Sequence, residues 1–161
     1  MKSRLLLIAL LASFSAFGQT DSCYVDVESL IQLTETSSTY LQNEGNEADT
    51  QMETNSIYER RFIYADSILN VVYQELHRKL DCLIQSDEYY ESYCSVMKSS
   101  LISGQKAWIK TRNADSDFYY SAAFGGSIEY QWGLWSATES TIIRTEQLLE
   151  MISFLQWRES I

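Results

Sequence analysis

From about Asp49 onward, apolar residues recur at intervals of three or four. Phe62, Ala65, Leu69, Val72, Leu76, Leu80 and Leu83 form one unbroken series, the spacing of a long helix that buries a single face. A second series starts near Asp87, passes through Cys94, Met97, Leu101, Trp108 and Ile109, and runs into Phe118-Tyr119-Tyr120. Gly125-Gly126 closes this helix or its loop, because glycine tolerates the left-handed backbone that follows a helix end. Ser127 then offers an N-cap. The third series is Ala137, Thr141, Arg144, Leu148, Met151 and Leu155. No segment alternates with the period of two that a half-buried strand requires, and the chain has no proline to interrupt a helix. These patterns predict an all-α fold, an antiparallel bundle of three long helices. A short N-terminal helical element around Leu30, Ile31 and Leu33 would precede a linker at Gln42–Asn46.

The first residues follow a different pattern. Lys2 and Arg4 precede an apolar run from Leu5 to about Phe17, and Ala16-Phe17-Gly18 places small residues before a cut, as in a secretory signal peptide. The expected organisation is a leader over 1–18, a polar segment with a short helix over 19–49, and a helical domain over 50–157. Export to the periplasm or outside the cell follows from that leader. The residues before Cys23, Thr20-Asp21-Ser22, lack the pattern of a lipidation signal, and no later run approaches the ~18 apolar residues that cross a bilayer, so no stable membrane insertion is expected.

Charge narrows the partners. The formal net charge is −10, and loss of the two basic leader residues takes it to −12. Such a field repels nucleic acid and attracts a basic partner, although acidity also serves solubility. Three cysteines, Cys23, Cys82 and Cys94, allow one disulfide in an oxidising compartment. Cys82 and Cys94 flank the turn around Ser86-Asp87-Glu88 almost symmetrically and are the candidate pair. Cys23 is then free or paired between chains, and a bridge from Cys23 to either of the others is the alternative.

Polar residues on the apolar stripes mark the candidate site. At 100° per residue, Leu101, Gln105, Trp108 and Arg112 share a sector of about 60°, while Lys106 and Lys110 face away. An arginine on an inward face requires a countercharge, and Arg144 poses the same demand on the third helix. Asp66, Asn70 and Tyr73 share one side of the first helix beside Ala65, Leu69 and Val72. Asp66 is therefore expected to pair with Arg112 or Arg144, with Asn70, Tyr73 and Gln105 completing a network that fixes helix register.

Read in order, Ala65-Asp66-Ser67-Ile68-Leu69-Asn70-Val71-Val72-Tyr73, Gln105-Lys106-Ala107-Trp108-Ile109-Lys110-Thr111-Arg112, Gly125-Gly126-Ser127 and Thr141-Ile142-Ile143-Arg144-Thr145 resemble the successive motifs of the lysozyme-inhibitor LprI-like N-terminal domain family, over about Thr50 to Met151. The resemblance implies an exported helical domain and, as a partner, a basic protein such as lysozyme. It also implies a departure. Family members commonly carry cysteine where this chain has Ile57, Ser116 and Ser136, so a family disulfide between the second and third helices is absent here. The alternative function is an envelope interaction or structural protein with no lysozyme affinity.

Enzymatic signatures are thin. His77 is the sole histidine; Asp81 lies four residues on, a spacing that suits half of a metal site, but a surface histidine beside Arg78 and Lys79 is the simpler reading. No CxxC, HExxH or glycine-rich phosphate loop occurs, and Gly125-Gly126-Ser127 lacks the context of a nucleophile elbow. No cofactor or metal is indicated. Aromatics gather near the hairpin ends, from Tyr89, Tyr90 and Tyr93 to Phe118, Tyr119, Tyr120, Phe124 and Tyr130. We expect them to cap the core, the alternative being to anchor a partner. Candidate partner-binding residues near the second turn are Asp115, Asp117, Glu129, Trp132 and Trp135.

Overall fold

The computed structural model describes residues 23–43 and 50–160. The leader read at 1–18 and the end of the Gln42–Asn46 linker lie outside the described residues. Four helices follow one another: α1 (Val27–Asn43), α2 (Gln51–Ser86), α3 (Glu88–Ala122) and α4 (Glu129–Glu159), with no strand among the described residues. Cross-helix contacts give the directions. Asp66 meets Arg112 and Asp81 meets Lys98, so α3 returns along α2. Ser116 meets Gly133 and Gln105 meets Arg144, so α4 reverses again. At 36 residues, α2 spans ~54 Å. α1 is longer than three apolar residues foretold, 17 residues reaching Asn43, and packs on α2 and α4.

Local chemistry sets the helix ends. Thr50 begins α2 with a capping box: the Glu53 N–H donates to Thr50 Oγ1 at 3.2 Å and the Thr50 N–H to Glu53 Oε2 at 2.9 Å, satisfying two otherwise unpaired donors. Asp87 alone joins α2 to α3, its carboxylate accepting the Tyr89 N–H at 2.8 Å. The start of α4 differs from the sequence reading. Its N-cap is Ile128, without a side-chain cap bond, rather than Ser127. A turn held by Gly126 N–H to Ala123 O and Glu129 N–H to Gly126 O leads into it instead.

The core is built from Leu69, Val72, Leu76, Leu80 and Leu83 of α2, Leu101 of α3, Leu148, Leu149, Ile152 and Leu155 of α4, and Val25, Leu30 and Leu33 from the N-terminal region. On α4 the stripe lies slightly round from the reading above: Thr145 and Ile152 are buried, whereas Met151 is exposed. α3 and α4 approach closely at Gly133. Ser116 Oγ donates to Gly133 O at 2.9 Å, and a Cβ at Gly133 would stand 3.2 Å from Ser116 O and 3.3 Å from Tyr120 Cβ.

The disulfide corrects the sequence expectation. Cys23 pairs with Cys82, not Cys82 with Cys94, across a Cα–Cα distance of 5.3 Å, inside the range a disulfide accepts. Symmetry about a turn does not aim two helical side chains at each other. Cys82 lies about 100° round from Leu83, off the buried stripe and under residues 23–26. Cys94 points into the core and is free. Burial raises its thiol pKa, the charge of Glu159 adds to this and that of Lys79 opposes it, so Cys94 is a poorly reactive core thiol.

Candidate functional site

Three polar arrangements interrupt the apolar interior. At mid-bundle, Arg112 is only 8% exposed. Its Nη1 donates to Asp66 Oδ1 at 2.7 Å and to Thr141 Oγ1 at 3.3 Å, so one guanidinium joins α3 to α2 and to α4. The cation lies over two rings: its guanidinium carbon is 5.1 Å from the Phe62 centroid and 5.0 Å from that of Trp108. A planar, weakly hydrated cation suits this slot because ring faces and a carboxylate together replace its water. Asp66 is 38% exposed at its side chain, and Asn70 reaches it at 3.4 Å.

Arg144 stands apart from that cluster. Its Nε donates to Gln105 Oε1 at 3.0 Å and its Nη1 to Gln147 Oε1 at 3.2 Å. Its partners are neutral amides, and burial lowers its pKa. Gln105 therefore serves Arg144 rather than Arg112. Tyr73 lies against His77, ring centroids 6.2 Å apart, and packs on the core. The residues grouped by sequence thus divide into an Arg112–Asp66–Asn70 cluster with Trp108, an Arg144–Gln105 pair, and a tyrosine outside both.

Sequence reasoning missed the second buried cation. Lys79 stood there as a surface neighbour of His77, yet it is 0% exposed. Its Nζ donates to Glu159 Oε2 at 2.5 Å and to Cys23 O at 2.9 Å. Arg78 Nη2 donates to Tyr24 O at 2.9 Å and Gln156 Nε2 to Val25 O at 2.6 Å. Three consecutive carbonyls are held by three side chains, and the disulfide fixes the same segment. A signal existed: Lys79 sits three residues after Leu76 and four before Leu83, on the apolar stripe. His77 Nδ1 lies 3.2 Å from Asp81 Oδ2, and Asp81 also binds Lys98. Among the described residues no group of three metal-ligating side chains converges, and no helix is long and apolar enough to cross a membrane.

The α3–α4 end is different in kind. Phe118, Tyr119, Tyr120, Phe124, Tyr130, Trp132 and Trp135 are all exposed, so they do not cap the core as expected; of the tyrosines at the other end only Tyr90 packs against it. Tyr119 stands edge-on between Phe118 and Trp135, at 5.8 and 5.7 Å. Phe124 is 95% exposed at φ 51°, a left-handed conformation that costs a bulky residue roughly 1–2 kcal/mol. Gly125 follows at φ 82°, and a Cβ at Gly126 would stand 3.0 Å from Ala123 O, so both glycines are needed. Glu129 is committed to this turn, accepting the Gly125 N–H. Asp115 and Asp117 are exposed. Tyr130 donates to Glu59 at 3.1 Å; burial first, then that carboxylate, raise its pKa.

Through Arg112 the cluster ties α3 to α2 and to α4. Arg112→Lys is expected to cost about 2 kcal/mol, since an ammonium keeps the charge but is more strongly hydrated and lacks the flat guanidinium that lies over the two rings. Asp66→Ala should cost about 1 kcal/mol, its exposure screening the pair. Urea unfolding at an unchanged m-value measures both.

A family model described as "Lysozyme inhibitor LprI" matches residues 42–148. No curated protein and no solved structure matches the chain.

Proposed function

The chain belongs to the lysozyme inhibitor LprI family, and from that membership we propose that it acts outside the cytoplasm as a non-enzymatic binding module that inhibits a lysozyme through the α3–α4 end of its bundle. The observation that carries this reading is Phe124. A large apolar side chain held outward on a left-handed backbone gains nothing for folding, and such local cost concentrates where a chain makes contact. Exposed aromatics beside it offer area at little entropic cost. Asp115 and Asp117 add negative charge on the same end, and the overall charge of −10 favours encounter with a basic enzyme. The Cys23–Cys82 bond supports an oxidising compartment.

The test is a cell-wall lysis assay with lysozymes of several types at low and moderate salt. Inhibition should be strongest at low salt, as a steered encounter is screened by added ions. Phe124→Ala and the pair Asp115→Asn, Asp117→Asn should each weaken inhibition about tenfold or more, with unchanged thermal unfolding. Absence of binding to every lysozyme type at both salt levels removes this reading and leaves an envelope partner, sought by pull-down from an envelope fraction.

A further inference from the structure

Much of the outward face of α4 is turned away from the bundle, although Trp135 meets Tyr119 of α3. At 100° per residue, Trp132, Trp135, Ile143, Phe154 and Trp157 fall in one sector of about 100°, opposite the buried Ala137, Thr141, Leu148 and Ile152. They are 43–56% exposed. Glu139, Glu146 and Glu150 occupy the gaps in the same sector and are exposed. The resulting series advances by three or four residues at every step and spans ~37 Å. Arg144 and Arg158 both lie outside it, and among the described residues no ion pair or side-chain hydrogen bond engages the three glutamates. A solvent-facing stripe is ordinarily polar; this one alternates large apolar side chains with charges of a single sign.

We propose that this face docks a cationic amphipathic helix of a partner protein. Apolar side chains of that helix would lie on the Trp, Ile and Phe residues, and its lysines or arginines would meet the three glutamates, a helix-to-helix mode read at i, i+3, i+4 and i+7. Charge selects this occupant over a second copy. Antiparallel self-pairing that sets Trp132 against Trp157 sets Glu139 against Glu150, twice by symmetry, and like charges across an interface oppose association. The proposal does not rest on the lysozyme reading, although Trp132 and Trp135 lie in both surfaces.

The test therefore uses the far half of the stripe and a probe unrelated to lysozyme: a synthetic Leu–Lys amphipathic helix of about 20 residues, titrated calorimetrically into the full chain, beside a Leu–Glu analogue. The Leu–Lys peptide should bind and the Leu–Glu peptide should not. Phe154→Ser with Trp157→Ser, and separately Glu146→Lys with Glu150→Lys, should each weaken binding about tenfold or more, with circular-dichroism melts unchanged because all four side chains are exposed. A charge-matched control, Glu28→Lys with Glu91→Lys on α1 and α3, should retain affinity. Equal loss in that control, or undiminished binding in the Phe154, Trp157 variant, overturns the proposal. So does concentration-dependent dimerisation abolished by the same two substitutions, which would identify a second copy as the occupant.

Discussion

Replacing Cys23 and Cys82 together by serine is expected to lower the unfolding free energy by about 4 kcal/mol, the chain-entropy value for a loop of this length. The two cysteines are 59 residues apart, so the crosslink removes much of the freedom of the unfolded chain. In the folded chain it fastens a segment with little secondary structure of its own. Residues 23–26 belong to no helix or strand, and Val25 lies in the core. The carbonyls held by Lys79, Arg78 and Gln156 give that segment its remaining hold, so loss of the crosslink should also raise hydrogen exchange in α1 before the rest of the bundle opens. Cys94→Ser is the discriminating control. It places a hydroxyl where a buried thiol was and should cost about 1 kcal/mol, with no effect of reductant on the difference. Urea unfolding with and without reductant reads both variants against the unaltered chain, and amide exchange reads α1; a Cys94→Ser variant as labile as the double replacement would sink the Cys23–Cys82 assignment.

The three long helices were legible because each carries a sustained stripe and no proline interrupts them. Where the stripe was strict, as from Ala65 to Leu83, position and burial agree residue by residue. Where the series ran through Arg144 and Met151, the inferred face was rotated slightly from the observed one, because Thr145 and Ile152 carry the burial instead. Helix α1 was underestimated for the opposite reason: its sequence is mostly polar, and among its described side chains those that reach the core are Leu30 and Leu33, with Val27 and Ile31 packed against it.

The polar interior was legible in part. The angular position of Arg112 beside Leu101 and Trp108 placed it inward, and the structure sets its guanidinium on Asp66. Assigning Gln105 and Tyr73 to the same group required knowing the lateral offset between helices, which periodicity does not contain. The disulfide failed for a related reason, since distance along the chain from a turn does not report side-chain direction. Aromatic exposure was also misread. A Trp or Tyr at helical spacing is usually core, but at Trp132 and Trp135 the spacing follows the outer face, and only the buried stripe of the same helix could have told the two apart.

Lys79 was hidden by its neighbours in sequence, His77 and Arg78, although its spacing places it on the apolar stripe. Its partner yields the second large effect. Glu159→Gln is expected to cost about 3 kcal/mol, toward the low end for orphaning a buried charge. The Lys79 ammonium would keep the Cys23 carbonyl but lose its only carboxylate, while the partial exposure of Glu159, 27% at its side chain, limits the loss. Lys79→Met should behave quite differently. It keeps an unbranched apolar stem of similar volume in a closed space, leaves a glutamate that can turn to water, and forfeits one hydrogen bond to Cys23 O, for a net change within about 1 kcal/mol. The double variant Lys79→Met, Glu159→Gln should then recover most of the stability lost by Glu159→Gln alone, because the cost lies in the unpaired ammonium rather than in the absent bond. Additive losses in this cycle, measured by urea unfolding, would mean that the two side chains are not coupled, whereas equal losses in both single variants and in the double variant would mean that the pair itself stabilises the bundle. Recovery would mean that Lys79 and Glu159 chiefly fix where the N-terminal segment lies.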